Sequence, residues 1–185
     1  MRRLRAAEND NLRSVIEKEY RMDELDKGLS VSLHGAEAAE AAERARRQVR
    51  EWGLELPDTD PLVLDFGLGR FDEIGEVEFW IANESEAGYC GKFLFLFEGQ
   101  ICPKHMHKTK LETFFIVKGR VRMEYGGKII TMNPGDTLRV ETAVYHTFSG
   151  IEPSLVLEVS KPSIIDDNYF ADTRISIGGN YKNFI

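Results

Sequence analysis

The sequence predicts an all-β core, a barrel or sandwich of short strands, preceded by α-helices. Three observations carry that reading. Composition changes near residue 60: Ala, Glu and Arg dominate before it, and runs rich in Val, Ile, Phe and Thr follow it. Those later runs recur at intervals of roughly ten residues with Gly, Pro or Asn between them, the pattern of a strand-rich barrel or sandwich. The chain has 185 residues, 42% of them hydrophobic, which suits one domain with a real core.

The elements follow in order. Residues 6–20 place Leu12, Val15, Ile16 and Tyr20 near a helical period. Residues 35–52, "GAEAAEAAERARRQVREW", consist almost wholly of strong helix formers. "LELPDTDP" interrupts the helical pattern with two prolines and reads as a connector. Residues 1–60 are therefore expected to form an N-terminal helical extension packing on the barrel, and residues 61–185 the barrel and a C-terminal tail. The strands are "EVEFWIAN", "GKFLFLFEG", "ETFFIVKG", "RVRMEYGG", "KIITMNPGD", "TLRVETA", "YHTFSG" and "SLVLEVS". Gly126-Gly127 fits a two-residue hairpin with positive φ at both positions, and "NPGD" a tight turn with proline second. Phe93, Phe95, Phe97, Phe114, Phe115 and Phe148 are expected mostly in the core, on inner barrel faces.

Charge narrows the function. A net charge of −7 argues against nucleic acid, whose phosphates need clustered cations. The Arg-rich stretches, Arg2, Arg3, Arg5 and Arg44, Arg46, Arg47, Arg50, alternate with Glu and Ala and read as solvated helix faces. No apolar run approaches the ~20 residues of a membrane span, and "MRRLRAAEND" lacks the apolar region of a secretory signal. Cys90 and Cys102 are too few for a zinc ribbon or redox pair and read as reduced thiols. A soluble cytoplasmic protein is expected.

The chemistry gathers in "PKHMHKTKLE". Residues two apart on a strand share a face, so His105 and His107 point the same way. Glu112 opens the next strand, which is expected to run antiparallel beside the first and aim at the same point. His146 lies ten residues after Asp136 of the "PGD" turn, room for one strand and a return. Three of the four histidines thus join one carboxylate in a set fit for a divalent transition metal. Imidazole suits Zn, Fe, Cu and Ni, and the carboxylate moves the preference toward Mn. Four protein ligands on a six-coordinate ion leave two positions open, as a working site requires. His34 lies outside the set and is assigned to a helix cap or to solvent.

Two further residues stand out, each with a plain alternative. Lys110 is either a solvated loop lysine or, if the strand is already extended, a cation beside Glu112. In "SLVLEVS", Leu155, Leu157 and Val159 share one face, and Val156 and Glu158 the other. Glu158 either decorates an edge strand or faces a cavity, where it would suit general base work.

"GQICPKHMHKTKLETFFIVKG" and "NPGDTLRVETAVYH" resemble the first and second motifs of the cupins. That resemblance covers residues ~90–150 and implies a double-stranded β-helix, or jelly-roll, barrel with a metal inside. "LDFGLGRFDEIGEVEFWIANES" before it and "LEVSKPSIIDDNYFADTRI" after it are similar to the D-lyxose isomerase family, over residues ~62–176. This wider resemblance implies a metal-dependent aldose–ketose isomerase. It would interconvert D-lyxose with D-xylulose and D-mannose with D-fructose by proton transfer through a metal-bound enediol. It implies Mn²⁺, with Zn²⁺, Co²⁺ or Fe²⁺ as other ions. It places the substrate-contacting lysine at Lys110, the catalytic glutamate at Glu158, and an acidic tail with its arginine at Asp166, Asp167, Asp172 and Arg174. Gln100, Arg174 and Asp166 or Asp167 are candidates for holding the remaining sugar hydroxyls.

One fold hosts many chemistries, so other classes stay in view. A cupin Fe-dependent dioxygenase needs no internal proton shuttle, which the Lys110 and Glu158 pair argues against. A non-catalytic sugar-binding cupin is a third class. An isomerase of phosphorylated sugars would use Lys104, Lys108 and Lys110. A homodimer is expected, because exposed edge strands invite pairing.

Overall fold

The computed structural model describes residues 24–180; the helix expected over 6–20 lies outside them. The described chain opens in a helical segment, 24–29. Helix α1 (Gly35–Glu51) follows. Ala41, Ala45 and Val49 recur every fourth residue and form its buried stripe. Glu37 in the first turn and Arg50 in the last complement the helix dipole. His34 occupies the N-cap position, but its exposed side chain makes no capping bond. The helix ends in a Schellman turn. Gly53 takes φ 71°, its N–H donates to Arg50 O, and Leu54 N–H donates to Val49 O.

Eleven strands follow: β1 (Leu62–Leu64), β2 (Glu76–Glu84), β3 (Tyr89–Leu96), β4 (Ile101–His107), β5 (Glu112–Lys118), β6 (Val121–Tyr125), β7 (Lys128–Met132), β8 (Thr137–Val140), β9 (His146–Gly150), β10 (Ser154–Ser160) and β11 (Asn168–Phe170). They form two antiparallel sheets, ordered β1-β2-β3-β10-β5-β8 and β11-β4-β9-β6-β7. Gly126 and Gly127, at φ 56° and 79°, join β6 to β7 with Tyr125 opposite Lys128. The sheets face each other across an apolar interior that includes Leu94, Phe114, Ile116, Met123, Phe148 and Val156. This is a jelly-roll barrel.

A second apolar layer lies outside. Val77 and Phe79 of β2, Phe95 of β3 and Leu155 of β10 pack with Ala41, Ala45 and Val49 of α1. The six-stranded sheet is therefore buried on both faces, an apolar outer one under α1 and an inner one that carries polar as well as apolar side chains.

Three expectations change here. β5 does not pair with β4; it pairs with β10 and β8 in the opposite sheet, so Glu112 reaches the histidines across the barrel. Phe93, Phe95 and Phe97 belong to the outer layer under α1, and Phe115 is 37% exposed; Phe114 and Phe148 fill the barrel. Arg44 and Arg46 are more than a solvated face: their guanidinium carbons lie 4.4 Å and 4.7 Å from the ring centres of Phe97 and Phe79. Arg46 also donates to Pro57 O and Thr59 O. Cys90 and Cys102 are free and buried. Among the described residues no helix is long and apolar enough to cross a membrane.

Candidate metal centre and active site

β4 holds His105 and His107 on its inner face, and β9 begins with His146, which pairs directly with His105. One ring nitrogen from each lies within 4.8 Å of the others. Glu112, at the start of β5, brings Oε1 to 3.3 Å from His107 Nε2 and Oε2 to 3.4 Å from His146 Nε2. The Nδ1 atoms face backbone carbonyls: Pro103 O at 2.7 Å from His105, Asp167 O at 3.1 Å from His107, and Val144 O at 3.2 Å from His146. A carbonyl only accepts, so each Nδ1 carries the proton and each Nε2 presents its lone pair.

The donor set fits a cation. His107 Nε2, His146 Nε2 and Glu112 Oε2 are buried without a hydrogen-bond partner, and each such atom costs about 1–3 kcal/mol unless something binds it. Burial, then the neighbouring His146 and His107, pushes the His105 imidazole well below its ordinary range. Burial likewise lowers His146. Burial alone would raise Glu112, but Lys110 and the histidines outweigh it and hold the carboxyl well below its usual range. Neutral imidazoles and an ionised carboxylate are the forms that ligate a metal.

A buried chain of alternating charge runs from this cluster along the six-stranded sheet. Lys110 Nζ lies 2.6 Å from Glu112 Oε1 and 3.1 Å from Glu158 Oε1. Ser160 Oγ donates to the same Glu158 oxygen at 2.8 Å. Lys92 Nζ lies 3.5 Å from Glu158 Oε2 and 2.6 Å from Glu78 Oε1, and Trp80 Nε1 donates to Glu78 Oε2 at 2.7 Å. Burial would lower both lysines, but the flanking glutamates outweigh it and hold both ammonium groups above their usual range. Burying charges of this kind rarely adds stability, and the barrel holds five of them in one connected chain. Glu158 sits on β10 between β3 and β5, inside the sheet and not at its edge.

The remaining sequence candidates are placed elsewhere. Gln100 is fully buried, with its amide donating to Phe71 O and accepting from Phe97 N–H; it ties down the entry to β4. The Asp167 carboxylate accepts from the N–H groups of Lys108, Thr109 and Lys110 and from Thr109 Oγ. Its backbone carbonyl accepts the hydrogen bond of His107 Nδ1–H, so Asp167 sets both the loop carrying Lys110 and the tautomer of a histidine. Asp166 lies 3.4 Å from Lys27. Arg174 is an exposed partner of Asp172, and neither lines the cavity. Sequence reasoning missed Glu76, Glu78, Trp80 and Lys92, which do line it. The available signal was the alternation Glu76-Val77-Glu78-Phe79-Trp80, in which either face could be the wet one.

A jelly roll with three histidines and a glutamate inside its barrel defines a cupin, and the cupin domain family model matches residues 94–160. The D-lyxose isomerase family model matches residues 60–121. A D-lyxose/D-mannose isomerase of Thermosediminibacter oceani is 31% identical over 61% of this chain and 77% of its own. A D-lyxose ketol-isomerase of Thermofilum sp. is 29% identical, covering 74% and 92%. The chain belongs to the D-lyxose isomerase family and is a sugar isomerase. Its fold matches that of the Geodermatophilus obscurus L-ribose isomerase, with a TM-score of 0.63 and 18% identity over 77% of this chain and 94% of the other.

Proposed function

We propose that this protein interconverts D-lyxose with D-xylulose and D-mannose with D-fructose, using a divalent ion, Mn²⁺ by preference, held by His105, His107, Glu112 and His146. The observation that carries the reading is the single Lys110 ammonium shared by Glu112 of the metal cluster and Glu158 on the neighbouring strand of the same sheet. The bound ion supplies Lewis-acid polarisation of the sugar's first two oxygens. Isomerisation of an aldose then moves the C2 proton to C1 and the O2 proton to O1. Glu158 takes the carbon-bound proton and returns it to the neighbouring carbon. Ser160 and Lys92 hold its two oxygens in place for both steps. Lys110, held charged, donates a hydrogen bond to the sugar oxygen that gains negative charge as the proton leaves.

The lysines also bear on the phosphorylated-sugar alternative. Lys104 pairs with Glu124 at 2.6 Å, Lys108 lies 3.9 Å from the Tyr169 ring centre, and Lys110 is buried. They point to three different places, and this favours an unphosphorylated sugar. Two buried thiols suit the cytoplasm. The exposed β7 edge strand with Ile129 and Ile130 suits a homodimer. The packing of α1 on the outer sheet face supports reading residues 1–60 as an extension of the barrel.

The test is metal analysis of the purified protein, followed by assays on D-lyxose, D-mannose and their phosphates. Manganese near one per chain and turnover of the free sugars are expected. Turnover of the phosphates alone, or turnover unaffected by complete metal removal, would overturn the proposal.

A further inference from the structure

Among the described residues, the buried side-chain atoms without a partner are four: His107 Nε2, His146 Nε2, Glu112 Oε2 and Glu76 Oε2. The metal cluster accounts for the first three. Glu76 stands outside it. It is 4% exposed and lines the same cavity as His105, Glu112, Lys110 and Glu158.

Its position follows from the register. Trp80 pairs with Lys92, and Lys92 with Glu158, so these three form one row across the sheet. Glu158 pairs with Phe114, two residues along β5 from Glu112. Glu78 pairs with Leu94, one row deeper. Glu76 is deeper again on the same face of β2, beside Cys102 near the start of β4. The cavity thus runs from the metal cluster, past the paired charges of Glu158, Lys92 and Glu78, to a carboxyl group with an unused oxygen. Glu78 and Lys92 satisfy each other at 2.6 Å; Glu76 has no such cation in contact.

Resting on the isomerase reading above, we infer that Glu76 is a substrate-positioning residue that hydrogen-bonds the far-end hydroxyl of an open-chain sugar whose first two carbons lie at the metal cluster. Burial, with Glu78 alongside, pushes the Glu76 carboxyl well above its ordinary range. Its neighbours are Glu78 and Cys102, and the unpartnered Oε2 is left to accept from a sugar hydroxyl. A site that loses such a partner is left with an unpaired group, so discrimination is strong against a ligand lacking the hydroxyl.

The experiment measures calorimetric binding of two acyclic polyols to manganese-loaded protein, beside manganese content. D-arabinitol has five carbons; erythritol is the same chain shortened by one. Wild type is expected to bind D-arabinitol more tightly. Glu76→Leu is expected to weaken D-arabinitol by about tenfold or more, leaving erythritol and manganese content unchanged. Glu76→Gln, which keeps a donor and an acceptor, is expected to stay within about threefold of wild type. In turnover, Glu76→Leu is expected to raise KM for D-lyxose with little change in kcat. Equal weakening of both polyols, no weakening of either, or no polyol binding by wild type would overturn the inference. If the binding results hold but wild type turns over neither D-lyxose nor D-mannose, the subsite stands and the isomerase reading falls.

Discussion

The Lys110 ammonium lies 3.1 Å from the Glu158 carboxylate, both buried inside the barrel. Glu158 comes from the middle of a central strand and Lys110 from the loop before β5, 48 residues apart in sequence. The pair joins the Glu112 end of the histidine cluster to Glu158 on the neighbouring strand of the same sheet.

Glu158→Gln preserves shape and removes the carboxylate proposed above as the base. We expect kcat on D-lyxose to fall by at least about a hundredfold, the usual contribution of a positioned general base. Manganese content and polyol affinity should change little. Full turnover by this variant would remove Glu158 from the mechanism.

Lys110→Met leaves two buried carboxylates without their shared cation. Breaking a buried pair from one side costs about 3–5 kcal/mol, so thermal unfolding should shift well downward as activity falls. The same variant made together with Glu158→Gln should recover part of that stability, which a double-mutant cycle reads directly.

Metal removal should loosen the fold as well as stop turnover. A ligand that binds only the folded state, at a hundred times its Kd, adds about 2.7 kcal/mol. Chelated protein should therefore unfold at a lower temperature than manganese-loaded protein, and His146→Ala should lose most of that difference.

Asp167 carries an acid-side prediction. Burial would raise its carboxyl, but hydrogen bonds from Thr109, Lys110 and Lys108 outweigh it and hold it below the ordinary aspartate range. A depressed folded pKa means its stabilisation is complete above the unfolded value and is lost as pH falls through the lower folded one. Wild type should thus lose this contribution only below about pH 4. Asp167→Asn should lack it at neutral pH, with a flatter stability curve on the acid side. Its kcat should fall, because the loop carrying Lys110 loses its anchor.

Gly119 ends β5 at φ 72°, and a Cβ there would stand 2.2 Å from Pro153 O. Both the backbone conformation and the space exclude a side chain. Gly119→Ala should destabilise by about 3 kcal/mol or more, read as a lowered unfolding midpoint in urea.

What the sequence determined by itself was local. The spacing of His105 and His107, the Gly126-Gly127 hairpin, the alternation around Glu158 and the helix over 35–51 are set by strand, turn and helix geometry within a few residues, and all appear in the structure. Tertiary structure decided which face of each strand is the inside. Val77, Phe79 and Phe95 look like barrel core, yet α1 covers them from outside, and this turns Glu76, Glu78 and Lys92 inward. It also decided partners: Glu112 meets its histidines across two sheets, not along one. Periodicity separates the faces of a strand but cannot name the inner one, because that depends on what packs against each face from distant parts of the chain.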